Sequence, residues 1–66
     1  MSFFSSVSPS NAKKLIVFHR DKRGNIREVG EVSQYGAYLT HGGHGSWVGD
    51  SVEDVIAAAR GECGLE

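Results

Sequence analysis

KLIVFHRDKRGNIREVGEV, residues 14–32, is the stretch on which the fold turns. Lys14 to Arg20 is a short apolar run, rich in β-branched and aromatic residues, which suits a strand better than a helix. The following Asp21-Lys22-Arg23-Gly24-Asn25 reads as a turn, because Gly24 or Asn25 can take a positive φ at low cost. Ile26 to Ser33 is then the returning strand of a hairpin. Ile26 and Val29 are out of phase for a period of two. A bulge at Gly30 would bring Val32 back to the buried face.

Working outward toward the C-terminus, Tyr35 to His41 predicts a third strand, with Tyr35, Ala37 and Leu39 on one face and Tyr38 and Thr40 on the other. Ser33-Gln34 leaves room only for a tight connection, so the second and third strands are expected to be antiparallel neighbours. HGGHG (41–45) follows as a glycine-rich reversal, and Ser46-Trp47-Val48 can form a short fourth strand. Val52, Val55, Ile56 and Ala59 then fall at helical spacing and make one apolar stripe. Asp50 is the expected N-cap, Glu53 completes a capping box, Asp54 suits the positive end of the dipole, and Arg60-Gly61 is the expected stop. These signals place a helix over about Ser51–Arg60.

Toward the N-terminus, residues 1–12 are serine-rich with one proline, and a flexible segment is expected there. Phe3 and Phe4 are exceptions that can pack back onto the domain or onto a second copy of it. Residues 13–61 then form a single small domain and 62–66 a C-terminal tail.

Sixty-six residues allow one domain with a thin stability margin. With a single cysteine, Cys63, an internal disulfide is excluded and a reducing compartment is expected. No stretch is long and apolar enough for a transmembrane helix, and MSFFSSVSPS lacks the pattern of a signal peptide. A cytoplasmic location without membrane contact follows as the expectation. The net charge of −1 hides an asymmetry. Six cations (Lys13, Lys14, Arg20, Lys22, Arg23, Arg27) face only Asp21 between residues 12 and 27, whereas seven acids face only Arg60 from Glu28 onward.

Two histidines in HGGHG raise a metal reading, in which a glycine turn brings His41 and His44 to one ion and His19 or Cys63 adds a ligand. Zinc sites ordinarily draw on three or four ligands at recognisable spacing, and here there is no CxxC and no carboxylate in the loop. No metal or other cofactor is therefore expected. A catalytic reading of His44 with Ser46 lacks a nucleophile-elbow motif, an orienting third group and a cleft. The chain is expected not to be an enzyme. A nucleic-acid reading uses the basic hairpin along phosphates and Tyr35, Tyr38 and Trp47 as stacking surfaces, without an RNP or GXXG motif.

Gly49-Asp50-Ser51, with Glu53-Asp54 and the alanine-rich run to Ala59, resembles the strand-to-helix junction of HicB-type antitoxin domains. The hairpin KLIVFHRDKRGNIREVGEV is similar in layout to that family's opening hairpin. The resemblance spans about 30 loosely matched residues; the family's proline-containing stretch before the helix is replaced by YGAYLTHGGHG, and there is no DNA-binding extension. It implies a three-stranded sheet with one helix, commonly dimeric, that binds a small partner protein.

Taken together, the sequence predicts an α+β fold: a small antiparallel sheet of three to four strands with one C-terminal helix packed on one face. Leu15, Val17, Phe18, Val29, Val32, Leu39, Trp47, Val52, Val55 and Ile56 are the expected core. One helix covers one face of such a sheet, yet the first strand of the hairpin is apolar on both, so a homodimer through the sheet or an edge strand is expected. The leading function is a small protein-binding module, a regulator, inhibitor or adaptor. Its contact surface is expected at Arg20, Lys22, Arg23 and Arg27 with Tyr35, Tyr38 and Trp47, since Arg and aromatic residues commonly anchor interfaces. Nucleic-acid binding through the same residues is the alternative, and a metal-binding module through His41 and His44 the third reading.

Overall fold

The computed structural model describes residues 2–41, 45–62 and 64–65. They form an α+β fold in which five antiparallel strands follow one another as a meander, β1-β2-β3-β4-β5, and a single C-terminal helix packs on the sheet. The strands are β1 (Ser2–Ser8), β2 (Asn11–Arg20), β3 (Ile26–Ser33), β4 (Gly36–Leu39) and β5 (Ser46–Gly49), and the helix is α1 (Val52–Glu62). Three to four strands were expected; the additional one is β1, inside the stretch expected to be flexible. Serine is a poor advertisement for a strand, but Phe3 and Phe4 decide the matter by packing on opposite faces. Phe3 pairs with His19 and its ring lies 4.9 Å from the imidazole, while the Arg60 guanidinium of α1 sits 5.5 Å above it. Phe4 pairs with Phe18 and stacks on it, with ring centres 5.3 Å apart.

The β2–β3 hairpin forms as its sequence predicts. At its tip the Asp21 carboxylate accepts the backbone N–H groups of Arg23 (2.8 Å) and Asn25 (2.9 Å), and Gly24 takes φ 85°. The expected bulge is present: Val17 pairs with Gly30 and Phe18 with Glu28, which leaves Val29 as the extra residue. By this device Val29 and Val32, three apart, both reach the helix side. Gly30 is required there, because a Cβ would stand 2.5 Å from the Tyr38 carbonyl oxygen and from Val55 Cγ1.

Alternation along each strand sorts the side chains. The helix side holds the core, Val17, Val29, Ala37, Leu39, Val55 and Ala59, with Phe3, Val32, Val48, Val52 and Ile56 packed at its margin. Fully burying a valine contributes roughly 1.5–3 kcal/mol, and Val17, Val29 and Val55 are the largest side chains so treated. A core built of valine and alanine confers only a modest margin. Three expected members of it lie elsewhere: Phe18 points to the opposite face, Trp47 is 62% exposed, and Leu15 is only half-buried outside the cluster.

The helix begins one residue later than its expected cap. Ser51, not Asp50, precedes the first helical residue, and Asp54, not Glu53, closes the box. One Asp54 carboxylate oxygen accepts the N–H of Asp50 (2.9 Å), the N–H of Ser51 (3.1 Å) and the Ser51 hydroxyl (3.0 Å). These three donors hold the Asp54 carboxyl below its ordinary pKa, the Asp50 amide most of all. At the far end Gly61 remains helical, and the chain turns at Gly64 (φ 69°) instead. Leu65 then returns its N–H to the Ala59 carbonyl at 3.2 Å and packs against the core, so the tail contributes to the fold.

Candidate functional site

The helix lies over β4, β3 and β5 and touches β2 only marginally. The opposite face of the sheet has no second layer among the described residues. Register defines what it presents: Phe4 on β1, then Lys14, Ile16, Phe18 and Arg20 on β2, Ile26, Glu28 and Glu31 on β3, Tyr38 on β4 and Trp47 on β5. The apolar side chains form two groups, Phe4, Ile16 and Phe18 on β1–β2 and Tyr38 with Trp47 on β4–β5, with Glu28 and Glu31 of β3 between them and Ile26 at the hairpin end beside Arg20. Ile16, Phe18 and Tyr38 are partly covered by their neighbours, while Ile26 and Trp47 are mostly exposed. Isolated exposed apolar residues are ordinary, but groups of aromatic and branched side chains sharing one uncovered face are the material of an interaction surface.

Tyr38 and Trp47 are cross-strand partners, so two of the expected contact residues do adjoin. The Trp47 indole lies against Gly36, where a Cβ would come within 2.6 Å of Nε1. Gly36 also has φ 121°, so glycine answers two demands at that turn. The glycine thus gives the exposed indole a floor.

Tyr35 was expected beside these two and is not. It occupies the β3–β4 turn, 75% exposed, at the end of β3 opposite the hairpin tip. The basic residues gather at that tip: Lys22, Arg23 and Arg27 line a shallow, open depression with Asp21 and Asn25. Arg20 pairs with Ile26 on the open face, whereas Arg27 pairs with His19 on the helix side. The seven expected residues thus divide into a basic end, an aromatic pair and a lone tyrosine. The depression is not an empty anion cradle, because its own carboxylate already takes the backbone amides of Arg23 and Asn25. Those bonds, the one from Asn25 foremost, lower the pKa of Asp21, and nearby Arg27 adds to the effect.

Charge on the open face itself is balanced. Lys14 forms an ion pair with Glu31, and Glu28 accepts a hydrogen bond from Thr40 Oγ1 at 3.0 Å, leaving Arg20 at the hairpin end. The charge asymmetry of the sequence becomes a partial separation along the sheet, with Lys13 and Lys14 at the start of β2 lying at the acidic end. Arg20, Lys22, Arg23 and Arg27 lie at one end, and Asp50, Glu53 and Asp54 at the β5–α1 junction at the other.

His41 is half-buried after β4, and His44, the other member of the metal reading, lies outside the described residues, as does Cys63. Among the described residues no three His, Cys, Asp or Glu side chains gather as a metal-binding group. Sequence reasoning named His19 only as an additional metal ligand and missed that it is a buried imidazole beside Phe3, for which its alternation with Val17 was a legible signal. Phe18 was counted toward a core that the single helix does not extend to, although a first hairpin strand apolar on both faces was expected. No helix among the described residues is long and apolar enough to cross a membrane. Comparisons with protein-family models, with curated proteins and with solved structures find no match to this chain.

Proposed function

We propose that this chain is a small non-catalytic binding module, a regulator, inhibitor or adaptor that acts by contact with a partner protein through the open face of its sheet. The observation that carries the reading is the pair of adjoining aromatic side chains Tyr38 and Trp47 on the uncovered face, which also carries Phe4, Ile16 and Phe18. Aromatic anchors ringed by paired charges resemble the make-up of protein interfaces, in which a few aromatic and arginine residues supply most of the binding energy. Arg20 at the border and the basic hairpin end can steer an acidic partner and raise the rate of encounter. An antitoxin-like role is one form of this reading, since the resemblance at Gly49–Ala59 falls on the β5–α1 junction. A cytoplasmic setting goes with it, as one thiol suits a reducing compartment.

The test is capture of the partner from host lysate with tagged wild-type protein, alongside Tyr38→Ala/Trp47→Ala and Lys22→Glu/Arg23→Glu variants, with and without nuclease. The expected result is one stoichiometric protein that survives nuclease and is lost with the aromatic variant. Retention that disappears with nuclease sinks the proposal.

Nucleic-acid binding is the second reading, favoured by the four cations at the hairpin end. Such binding would fall with a log–log salt slope of about −0.7 to −0.9 per phosphate neutralised, and Lys22→Glu/Arg23→Glu would flatten it. Glu28 and Glu31 on the open face count against phosphates lying across the aromatic side chains.

A further inference from the structure

We propose that β1 is the interface to a second copy of this chain, and that two protomers join edge to edge, antiparallel, about a twofold axis at Ser5 to make a continuous ten-stranded sheet. This inference rests on the edge strands and is independent of any partner for the open face.

The meander leaves two edges, β1 and β5. Soluble proteins guard such edges with charge, brevity or bulges, since an edge strand carries unpaired N–H and C=O groups. β5 is guarded: it has four residues, and its register with β4 is broken after Ala37. β1 has none of these protections over Phe3–Val7. It runs for seven residues, Ser2–Ser8, without one charged side chain, and it keeps regular pairing with β2 from Ser2 to Val7. Its helix-side face also lies beyond the reach of α1, except where Arg60 covers Phe3, and Val7 is left 53% exposed.

The strand is self-complementary. In an antiparallel pair, opposed residues share a face and both turn their backbone groups the same way, so a symmetric register centres on one residue. Centring on Ser5 pairs all seven positions: Ser2 with Ser8 of the other copy, Phe3 with its Val7, Phe4 with its Ser6, and Ser5 with Ser5. On the helix side each exposed Val7 gains a phenyl ring. On the open face the Phe4–Phe18 stack meets a serine small enough to admit it. The twofold keeps both helices on one side and brings the Phe4, Ile16 and Phe18 groups of the two open faces together. Because the remaining edges are the guarded β5 strands, the assembly closes at two copies instead of growing into a filament. A contact of one strand pair lies at the small end of interface sizes, below roughly 1,200 Å² in total, so the dimer should dissociate on dilution.

The experiment is sedimentation velocity of the full chain from roughly 10 μM to roughly 1 mM, a range that brackets weak association. The wild type is expected to pass from one chain to two. Ser5→Lys, which sets a lysine on the edge, is expected to remain a single chain with an unchanged circular-dichroism spectrum, while Trp47→Ser still dimerises. Hydrogen exchange of the wild type supplies a readout that needs no variant: amide protection in β1 rises with concentration while that in β5 does not. A single-chain mass throughout, a Ser5→Lys protein that still dimerises, or β1 amides indifferent to concentration would each overturn the proposal. Loss of the dimer in Trp47→Ser but not in Ser5→Lys would do so as well, by moving the contact to the open face.

Discussion

At the scale of single residues, the most constrained positions are glycines that admit a neighbour. Gly30→Ala would drive a methyl group into the Tyr38 carbonyl and the Val55 side chain. Overpacking of this kind costs about 1–3 kcal/mol, and urea titration is expected to show a lowered midpoint with an unchanged slope. Asp54 is constrained by charge. Its carboxyl, like that of Asp21, titrates below the ordinary value of 3.8 because its hydrogen-bond donors favour the ionised form. For a group whose folded pKa is depressed, the stabilisation is complete above the unfolded value and is lost as pH falls through the folded one. Stability is therefore expected to be flat at neutral pH and to decline below about pH 4. Thermal melts of Asp54→Asn should show a lower Tm at pH 7 and a shallower fall in acid; an unchanged pH profile would count against the cap.

At the scale of elements, β2 shows how one strand serves two layers. Leu15, Val17 and His19 face the helix, and Ile16, Phe18 and Arg20 face the other way. The hairpin tip, by contrast, is held by Asp21 and its backbone partners, and the side chains of Lys22 and Arg23 extend from it exposed. Lys22→Glu/Arg23→Glu is thus expected to shift stability by no more than about 0.5 kcal/mol, measured by chemical denaturation. Asp21→Ala is expected to destabilise the hairpin, which amide exchange in β2 and β3 would register. The helix depends on its stripe: Val55→Ala opens a hole between α1 and β3 and is expected to cost about 2 kcal/mol. Both hairpin strands and the helix were legible in the sequence because each signal is local, a period and a turn or cap residue. The cap itself was misplaced by one residue, since Asp50 and Ser51 are both good caps and only the bonds to Asp54 choose between them.

At the scale of the whole molecule, a five-stranded sheet with one helix has one face more than it can cover. Trp47 was expected both in the core and, with Tyr35 and Tyr38, on a contact surface. It lies outside because it pairs with Tyr38 on the open face, and the register shift in β5 turns Val48 inward in its stead. Local pattern assigns residues to alternate faces, but only the position of α1 says which face is the covered one. The uncovered face and the unguarded β1 edge are therefore properties of the assembled sheet. Sequence by itself determined the hairpin, a bulge beside Gly30 (the extra residue being Val29), the helical stripe and the α+β class, because those rest on periodicity and on backbone freedom within a few residues. Tertiary structure alone decided that Phe3 and Phe4 pin a fifth strand, that the cations and aromatics form separate surfaces, and that Trp47 faces outward. Each of those outcomes depends on contacts between residues far apart in the chain, whose energies no local window contains.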